Sequence, residues 1–401
     1  MKMTEGKLFQ ALQLPNGVVL KNRFVLSPMI TNSSTQEGFV TQADIDYAYR
    51  RADAAALQIT GAAYIEEYGQ LFEYGFSSAK DEDIVGLTEL AKAMKAKGAK
   101  AILQLTHAGR FASHSLKKYG FVYGPSAMKL QSPIVHEVKE LTHKHIQQLV
   151  IDYQNATSRA IKAGFDGVEI SSAQRLLMQA FFSPFSNKRH DEYGRDSLEN
   201  RARFALEVLR GVNDVIKKEA PKGFILGFRA TPEETRGSQV GYSVEEFITL
   251  VEWILELADI QYLAIASWGH NVFRNRVRAK GAYEGQLVTE IIWRHFFGRL
   301  PIMATGGINT PEKVAEALKY ADFVGSASPL VVDPEFLQKM ETGRQSEINF
   351  KIKFEDLASL KIPEASFKDI VPLMDYGESI PKESRELFRS LITNYHKESL
   401  L

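Results

Sequence analysis

The sequence predicts an α/β protein, a (β/α)8 TIM barrel followed by an irregular, partly helical C-terminal extension. Eight short apolar runs alternate along the chain with amphipathic segments of helical length, which is the pattern of a parallel sheet covered by helices on both faces. An open doubly wound sheet, the alternative, would carry a Gly-x-Gly-x-x-Gly loop after its first strand, and the sequence has none there. The alternation stops near Arg344. We therefore expect a barrel over residues 1–343 and an extension over residues 344–401 that packs on the barrel or on a partner subunit.

The predicted strands are short and almost wholly apolar, as strands buried on both faces should be. In chain order they lie at 24–26, 55–61, 101–105, 166–170, 224–230, 260–266, 301–304 and 321–325. Periodicity and capping residues place helices at 44–54, 83–97, 141–163, 197–219, 243–258, 288–297, from Thr310 onwards, and at 382–396 in the extension. Residues 111–140 contain Pro, Gly and Ser but little periodicity, which predicts a long loop with room for a small hairpin.

Composition and charge argue against several classes of protein. The 401 residues include 49 basic and 49 acidic side chains, a balance that predicts no nucleic-acid or membrane-surface partner. No apolar run approaches the ~20 residues of a membrane helix, and the amino terminus lacks the apolar core of a signal peptide, so we predict a cytoplasmic protein. The chain contains no cysteine, which excludes disulfides, thiolate metal ligands and a thiol nucleophile. The histidines lack metal-ligand spacing, and we predict no metal site.

Small residues follow the last two predicted strands. Gly306 and Gly307 come directly after the seventh strand, and a helix capped by Thr310 begins shortly afterwards. The eighth strand ends in the run Gly325–Ser328. Small-residue loops at these two strands are the usual phosphate cradle of a barrel, because backbone N–H groups can approach an anion there. Tight strand-to-helix packing without a ligand is the alternative explanation.

Two polar side chains interrupt otherwise apolar strands. Gln104 lies inside the third strand and Arg229 near the end of the fifth. A buried amide needs hydrogen-bond partners, and a buried guanidinium needs an anion or an electron-rich ring, so each residue alone could be structural. Taken with the cradle, the two residues indicate a pocket for a large, planar, phosphorylated and partly anionic cofactor. Flavin mononucleotide (FMN) is the obvious candidate.

A series of longer motifs runs in order along the predicted barrel. They read NRFVLSPM at 22–29, QLTHAGR at 104–110, FDGVEI at 165–170, FSPFSNKR at 182–189, DEYG at 191–194, ENR at 199–201 and GGI at 306–308. On these motifs, over residues 7–340, the sequence resembles the old yellow enzyme family of FMN-dependent oxidoreductases, and within it the bacterial NADH:flavin oxidoreductase-like members. The resemblance implies an FMN-binding flavoprotein that takes hydride from NADH or NADPH.

The resemblance also assigns cofactor contacts to individual positions. Pro28 and Met29 would line one face of the flavin, Gln104 would bind its pyrimidine edge, and Arg229 would lie near N1 and O2. A fixed cation there favours the anionic reduced flavin and so helps hydride arrive from NAD(P)H. The full set of implied cofactor-binding residues is Ser27, Pro28, Met29, Ile30, Ala62, Gln104, Arg229, Gly306, Gly307, Ala327 and Ser328.

Several positions depart from the pattern of that family. Ser171 and Gln174 stand where the family usually has His-x-x-His or His-x-x-Asn, two donors that hold the substrate, and neither can carry positive charge. Leu176 replaces the tyrosine that protonates the substrate in alkene reduction, so no proton can come from this position. Ile30 replaces a Cys or Thr that tunes the flavin. Ala327–Ser328 replaces a Gly-Arg pair that supports the phosphate.

Two functions of different classes follow from these residues. In the first, the chain is an FMN-dependent oxidoreductase that passes hydride from NADH or NADPH to a small-molecule electron acceptor other than an activated alkene, such as a quinone, a dye, free flavin or oxygen. Its catalytic residues would be Ser171, Gln174 and Arg229. In the second, the barrel binds a flavin or another phosphorylated ligand, has lost efficient chemistry and acts as a regulatory or binding protein. The intact flavin-face residues favour the first function, and self-association into a homo-oligomer stays open.

Overall fold

Eight parallel strands close into a barrel in the computed structural model, which describes residues 6–131, 134–363 and 365–398, with side chains as far as Leu391. The barrel strands are Phe24–Leu26 (β1), Leu57–Tyr64 (β2), Lys100–Thr106 (β3), Gly167–Ser172 (β4), Ile225–Ala230 (β5), Tyr262–Ile265 (β6), Ile302–Thr305 (β7) and Phe323–Ser326 (β8). Each strand pairs in parallel with its neighbours in chain order, and β8 closes the barrel on β1. The predicted (β/α)8 fold is therefore confirmed.

Strand boundaries differ from the predicted ones by up to three residues, and β2 differs most. It begins at Leu57 and continues to Tyr64, beyond the predicted end at Gly61. The pairing of β2 with β3 shifts register between Ile59 and Ala62, and such a bulge inserts residues without ending the strand. As a result, Ala62 lies opposite Gln104 in the sheet.

The barrel helices are Gln42–Arg50 (α1), Asp83–Lys95 (α2), His143–Lys162 (α3), Leu198–Glu219 (α4), Val244–Leu257 (α5), Val288–Phe296 (α6), Pro311–Ala317 (α7) and Phe336–Glu341 (α8). Five of them begin after a residue whose side-chain oxygen caps the first turn, namely Thr41, Thr142, Ser197, Ser243 and Thr310. The hydroxyl of Ser197 accepts a hydrogen bond of 3.1 Å from the backbone N–H of Asn200, which satisfies an otherwise unpaired amide at the start of α4. None of the helices in the described ranges has both the length and the apolar character needed to cross a bilayer.

The prediction for residues 111–140 is correct for the small hairpin, which Met128–Leu130 and His136–Glu140 form as an antiparallel pair, but wrong for the long loop. The segment contains a helix at Ser113–Tyr119 and a three-stranded sheet made of Val122–Gly124, Met128–Leu130 and His136–Glu140. In the last of these strands only Val138 is buried, so that strand shows no alternation of apolar residues. Its apolar side chains pack with Ala108 and Leu176 from the loops after β3 and β4. Other short elements were not predicted either, among them the helices Leu177–Phe182 and Ser328–Val332, the strand pair of Leu12–Gln13 with Val19–Leu20, and the hairpin of Glu234–Arg236 with Gln239–Tyr242.

The C-terminal extension packs on the barrel. Its helices are Asp356–Leu360 (α9), Val371–Gly377 (α10) and Lys382–Glu398 (α11). Apolar side chains of the extension form one buried cluster with Val331 and Val332, which follow β8. Arg51, directly after α1, is wholly buried and donates hydrogen bonds to the carbonyl oxygens of Val331 and Leu360. One guanidinium thus joins α1, the end of the barrel and the extension.

Candidate cofactor and active site

A cleft opens at the carboxyl ends of the barrel strands, where (β/α)8 barrels carry their active sites. Its volume is about 830 Å³ up to its open mouth. It brings together predicted site residues from five parts of the chain, namely Ser27, Pro28, Gln174, Arg229, Gly306, Gly307, Ala327 and Ser328. The wall is completed by residues that were not predicted, among them His270, Asn309, Leu373, Gly377 and Ser379.

Backbone geometry requires glycine at both positions after β7. Gly306 and Gly307 have φ angles of +86° and +77°, in the left-handed region that side chains disfavour. A Cβ on Gly306 would lie 2.6 Å from Cβ of Val272, and a Cβ on Gly307 would collide with the carbonyl oxygen of His270. Close packing of the loops after β6 and β7 therefore accounts for these glycines by itself. The assignment of a phosphate cradle depends on the other residues of the cleft.

A buried carboxylate organises the polar side chains on β3 to β6. Glu169 is wholly buried, and its Oε1 accepts a hydrogen bond of 2.7 Å from Nε2 of Gln104. Oε2 accepts one of 2.9 Å from the hydroxyl of Tyr262, and Nη1 of Arg229 lies 3.8 Å from Oε1. Burial raises the pKa of Glu169, although Arg229 and the two hydrogen bonds oppose that effect. Gln104 and Arg229 thus have structural partners, as the sequence left open.

Two polar atoms of the cleft nevertheless lack a hydrogen-bond partner, although one of them lies within ion-pair distance of Glu169. Nη1 of Arg229 and Oγ of Ser27 are buried and make no hydrogen bond with any of the described residues, although both residues line the cleft. An unsatisfied buried donor costs about 1–3 kcal/mol, which indicates that a ligand with acceptor atoms belongs there. A Cβ on Gly325 would collide with Oγ of Ser27. These donors and the bare backbone around them fit an anionic, oxygen-rich ligand such as FMN.

The other predicted site residues lie outside the wall of this cleft. They are Met29, Ile30, Ala62, Gln104 and Ser171. Met29 lines a separate small cavity beside α1 and packs against the apolar cluster of the extension. Ser171 is buried and lies opposite Arg229 in the pairing of β4 with β5. The contacts of these five residues with a cofactor stay predictions.

The loop after β4 presents Gln174 to the cleft in a strained conformation. Gln174 and Arg175 have φ angles of +57° and +61°, which residues other than glycine rarely adopt. The backbone N–H of Arg175 donates a hydrogen bond of 2.6 Å to Oε1 of Gln179, which is buried. The next residue, Leu176, turns into the apolar cluster that includes Ala108. Position 176 therefore contributes packing.

Positive charge accumulates beside this loop. Burial, together with the charges of Arg236 and Arg175, lowers the pKa of Arg110 to about 10. Glu234, the carboxylate among them, accepts a hydrogen bond of 3.1 Å from Arg236. Nε of Arg110 is buried and has no partner within the described part of the chain. Three guanidinium groups around one carboxylate give a net positive charge next to Gln174. This charge favours anionic ligands.

Sequence reasoning missed the wall that the extension contributes. His270 and Asn309 follow β6 and β7, so their position after a predicted strand was a usable signal. Leu373 and Ser379 carried none, because they come from the extension, where the strand and helix repeat has ended. In the described ranges no group of three or more His, Asp and Glu side chains could hold a metal ion.

Comparison with known proteins identifies the family. Residues 7–347 match the model of the NADH:flavin oxidoreductase / NADH oxidase family. An uncharacterized oxidoreductase of Streptococcus pyogenes (serotype M5, strain Manfredo) is 64% identical over 395 residues, which cover 98% of this chain and 99% of that protein. A protein of Bacillus subtilis (strain 168) named as a probable NADH-dependent flavin oxidoreductase is 30% identical over 365 residues, 91% of this chain and 95% of that one. The solved structure of an old yellow enzyme homologue from Zymomonas mobilis has a TM-score of 0.72 at 25% identity and covers 84% of this chain and 92% of that chain. The resemblance seen in the motifs is confirmed, and the chain belongs to the NADH:flavin oxidoreductase / NADH oxidase family, the family of old yellow enzyme.

Proposed function

We propose that the chain is an FMN-dependent oxidoreductase that takes hydride from NADH or NADPH and passes the electrons to a small-molecule acceptor. The observation that carries this proposal is the pair of unpaired buried donors in the cleft, Nη1 of Arg229 and Oγ of Ser27. A guanidinium at the end of an apolar strand needs an anion or an electron-rich ring, and the ring of FMN meets that need. Membership of an NADH:flavin oxidoreductase family supports the same function.

The chain's own residues would bind and orient the reactants. When bound, FMN supplies a ring that accepts hydride from a nicotinamide and hands the electrons on. Arg229 provides a fixed positive charge that stabilises negative charge on the ring. Gln174 lines the cleft and, together with Ser171 behind the wall beside Arg229, would offer neutral hydrogen-bond donors to a nicotinamide amide or an acceptor oxygen. The backbone N–H groups of Gly306 and Gly307 would serve the phosphate.

The acceptor is proposed to be something other than an activated alkene. Leu176 packs into an apolar cluster and has no proton to give, so reduction of an alkene would lack its usual acid. Ser171 and Gln174 also hold an oxyanion more weakly than charged donors would. Quinones, dyes, free flavin and oxygen need no proton from position 176. They are the acceptor classes that we propose.

An anaerobic titration of the FMN-loaded protein with NADH, repeated with NADPH, tests this function. We expect the visible absorption of the flavin to bleach and to return when a quinone is added. Arg229→Gln should bleach at least about ten-fold more slowly, since a hydrogen bond to a charged group is worth about 1.5–3 kcal/mol. The control Arg294→Gln removes an exposed ion pair with Glu290 on α6 and should bleach like the wild type. Protein that does not bind FMN would refute the cofactor assignment.

The alternative is a flavin- or phospholigand-binding barrel with a regulatory role. The position of Glu169 favours it, because a carboxylate 3.8 Å from Arg229 offsets the positive charge available to a ring. The same titration separates the two functions. FMN that binds tightly, is not bleached by either nicotinamide and resists added reductant would refute the oxidoreductase and support the binding role.

A further inference from the structure

Among the described residues, one available cation lines the end of the cleft near the glycine pair. Of the described residues that line the cleft, only Arg229 and His270 can carry positive charge. Arg229 is held beside the buried Glu169. His270 lies in the loop after β6, and its carbonyl oxygen packs where a Cβ of Gly307 would be. Position 328 is a serine, so among the described cleft residues His270 is the available side chain that can carry positive charge for a phosphate bound at the glycine pair.

Two other cations near this loop are engaged elsewhere. Nζ of Lys313 donates hydrogen bonds of 3.1 Å to the carbonyl oxygen of Gly307 and 2.8 Å to Oδ1 of Asn309. Nη2 of Arg274 lies 2.6 Å from Oε2 of Glu316 in an ion pair. Neither Lys313 nor Arg274 lines the cleft. Lys313 therefore stabilises the loop that holds the glycine pair, and Arg274 pairs with α7, but neither side chain is available to a ligand in the cleft.

The imidazole of His270 is both available and positioned. It makes no hydrogen bond or ion pair with the residues that the structure describes. Its ring packs against the ring of Tyr376 on α10, with a distance of 5.0 Å between the centroids. The segment after α10 is tied to the loop after β7 by a hydrogen bond of 2.9 Å from Nδ2 of Asn309 to the carbonyl oxygen of Ser379. His270 is thus a solvent-exposed residue that lines the cleft beside Gly307, and the extension contacts its unpaired imidazole through Tyr376.

We infer that His270 holds the phosphate of FMN through a charge-assisted hydrogen bond, with Tyr376 as a positioning residue. The inference rests on the proposed FMN cofactor and adds the group by which the protein distinguishes FMN from flavin without a phosphate. An imidazolium N–H donating to a phosphate oxygen is about twice as strong as a neutral hydrogen bond. Riboflavin has the same ring and no phosphate, so this contact should stabilise FMN alone.

The test compares the dissociation constants of FMN and riboflavin for the apoprotein, measured by quenching of flavin fluorescence. His270→Ala should raise the dissociation constant of FMN about ten- to a hundred-fold, the range expected for a lost charge-assisted hydrogen bond. The dissociation constant of riboflavin should change less than about two-fold. His270→Lys should retain the preference for FMN, because lysine also donates from a positive charge. The matched control is His295→Ala on α6, whose imidazole pairs with Glu252 outside the cleft, and it should change neither constant.

The positioning role of Tyr376 has its own pair of variants. Tyr376→Phe keeps the ring against His270 and should keep the FMN preference, whereas Tyr376→Ala should lose part of it and leave riboflavin binding intact. The inference is overturned if His270→Ala leaves FMN binding unchanged or weakens both flavins equally. A wild-type protein that binds neither flavin would refute the proposed cofactor itself, which is a different result from an unchanged preference.

Discussion

Individual residues of the site differ in how firmly their surroundings fix them. Gly307 is fixed, because its positive φ and the carbonyl oxygen of His270 exclude a Cβ. Glu169 is fixed as well, since its removal would leave Gln104 and Tyr262 without their acceptor. The imidazole of His270 has only a ring contact. Substitutions at Gly307 and Glu169 therefore test the architecture of the cleft, and substitutions at His270 test ligand binding.

The cost of a side chain at Gly307 can be separated from the cost of its backbone conformation. Gly343 has nearly the same φ, +75° against +77°, but a Cβ there would meet nothing within 4 Å. We expect Gly343→Ala to lower the free energy of unfolding by about 1–2 kcal/mol through φ alone. Gly307→Ala should lower the free energy of unfolding by about 1–3 kcal/mol more, because the added methyl group forces the loop after β6 to move. It should also weaken FMN binding. Urea unfolding checks both variants, and equal losses would show that the two loops do not pack as described.

At the scale of elements, the sequence predicted best those that carry their own pattern. β5 is buried at every position, so a continuous apolar run was enough to find it, and the hydroxyl of Ser243 marked the start of α5. The helix Ser113–Tyr119 and the three-stranded sheet after it lack such a pattern. They are stabilised by packing on Leu176, a contact between distant parts of the chain that periodicity cannot reveal.

The candidate site divides in the same way. Gly306, Gly307 and Arg229 could be predicted, because each follows or ends an apolar strand and the carboxyl ends of all strands meet at one face. The wall formed by Leu373 and Ser379 could not be predicted, since the extension has no repeat that places it over a particular strand. The sequence therefore predicts the cleft residues that the barrel strands position better than those that the extension contributes.

One ion-pair network connects the loop after β2 with the extension. Oε1 of Glu73 lies 2.7 Å from Nζ of Lys117, and Oε2 lies 2.9 Å from Nζ of Lys368. Partial burial raises the pKa of Glu73, but hydrogen bonds from both lysines outweigh it and lower the pKa to about 2. Because the pKa in the folded protein lies below the ordinary value of 4.5, this carboxylate stabilises the fold above about pH 4.5. The contribution is lost as the pH falls towards 2.

Glu73→Gln should therefore destabilise the protein in a pH-dependent way. At pH 7 we expect a loss of about 0.5–1 kcal/mol in the free energy of unfolding, the upper range for solvent-accessible ion pairs. The difference from the wild type should shrink as the pH is lowered from about 5 towards 3, because glutamine cannot be protonated in this range. Urea unfolding at several pH values measures it. Glu89→Gln, which removes an exposed pair with Lys92 on α2, is the control, and a difference that grew on acidification would contradict the assignment.

At the scale of the whole molecule, the extension completes the barrel instead of forming a separate unit. Its side chains share one apolar cluster with Val331 and Val332, and Arg51 ties α1 to both. Burial lowers the pKa of Arg51 to about 10, and removing its hydrogen bonds would leave several buried carbonyl oxygens unpaired. Since α10 also lines the cleft, we propose that residues 344–398 belong to the cofactor-binding unit.

Two equally buried phenylalanines can test whether the extension belongs to the cofactor-binding unit. Phe388 on α11 is wholly buried, with its ring centroid 5.4 Å from that of Phe367, and Phe296 on α6 is also wholly buried. Either substitution by alanine should cost about 3–5 kcal/mol of stability. Neither side chain lines the cleft, but α11 supports α10 through their shared cluster. We therefore expect Phe388→Ala to weaken FMN binding about three-fold or more, because α10 would unfold locally more often. Phe296→Ala should keep the wild-type affinity for FMN. Thermal unfolding by circular dichroism and FMN titration well below both melting temperatures measure the two effects separately. Equal FMN affinity in the two variants would mean that the extension stabilises the barrel without holding the cofactor.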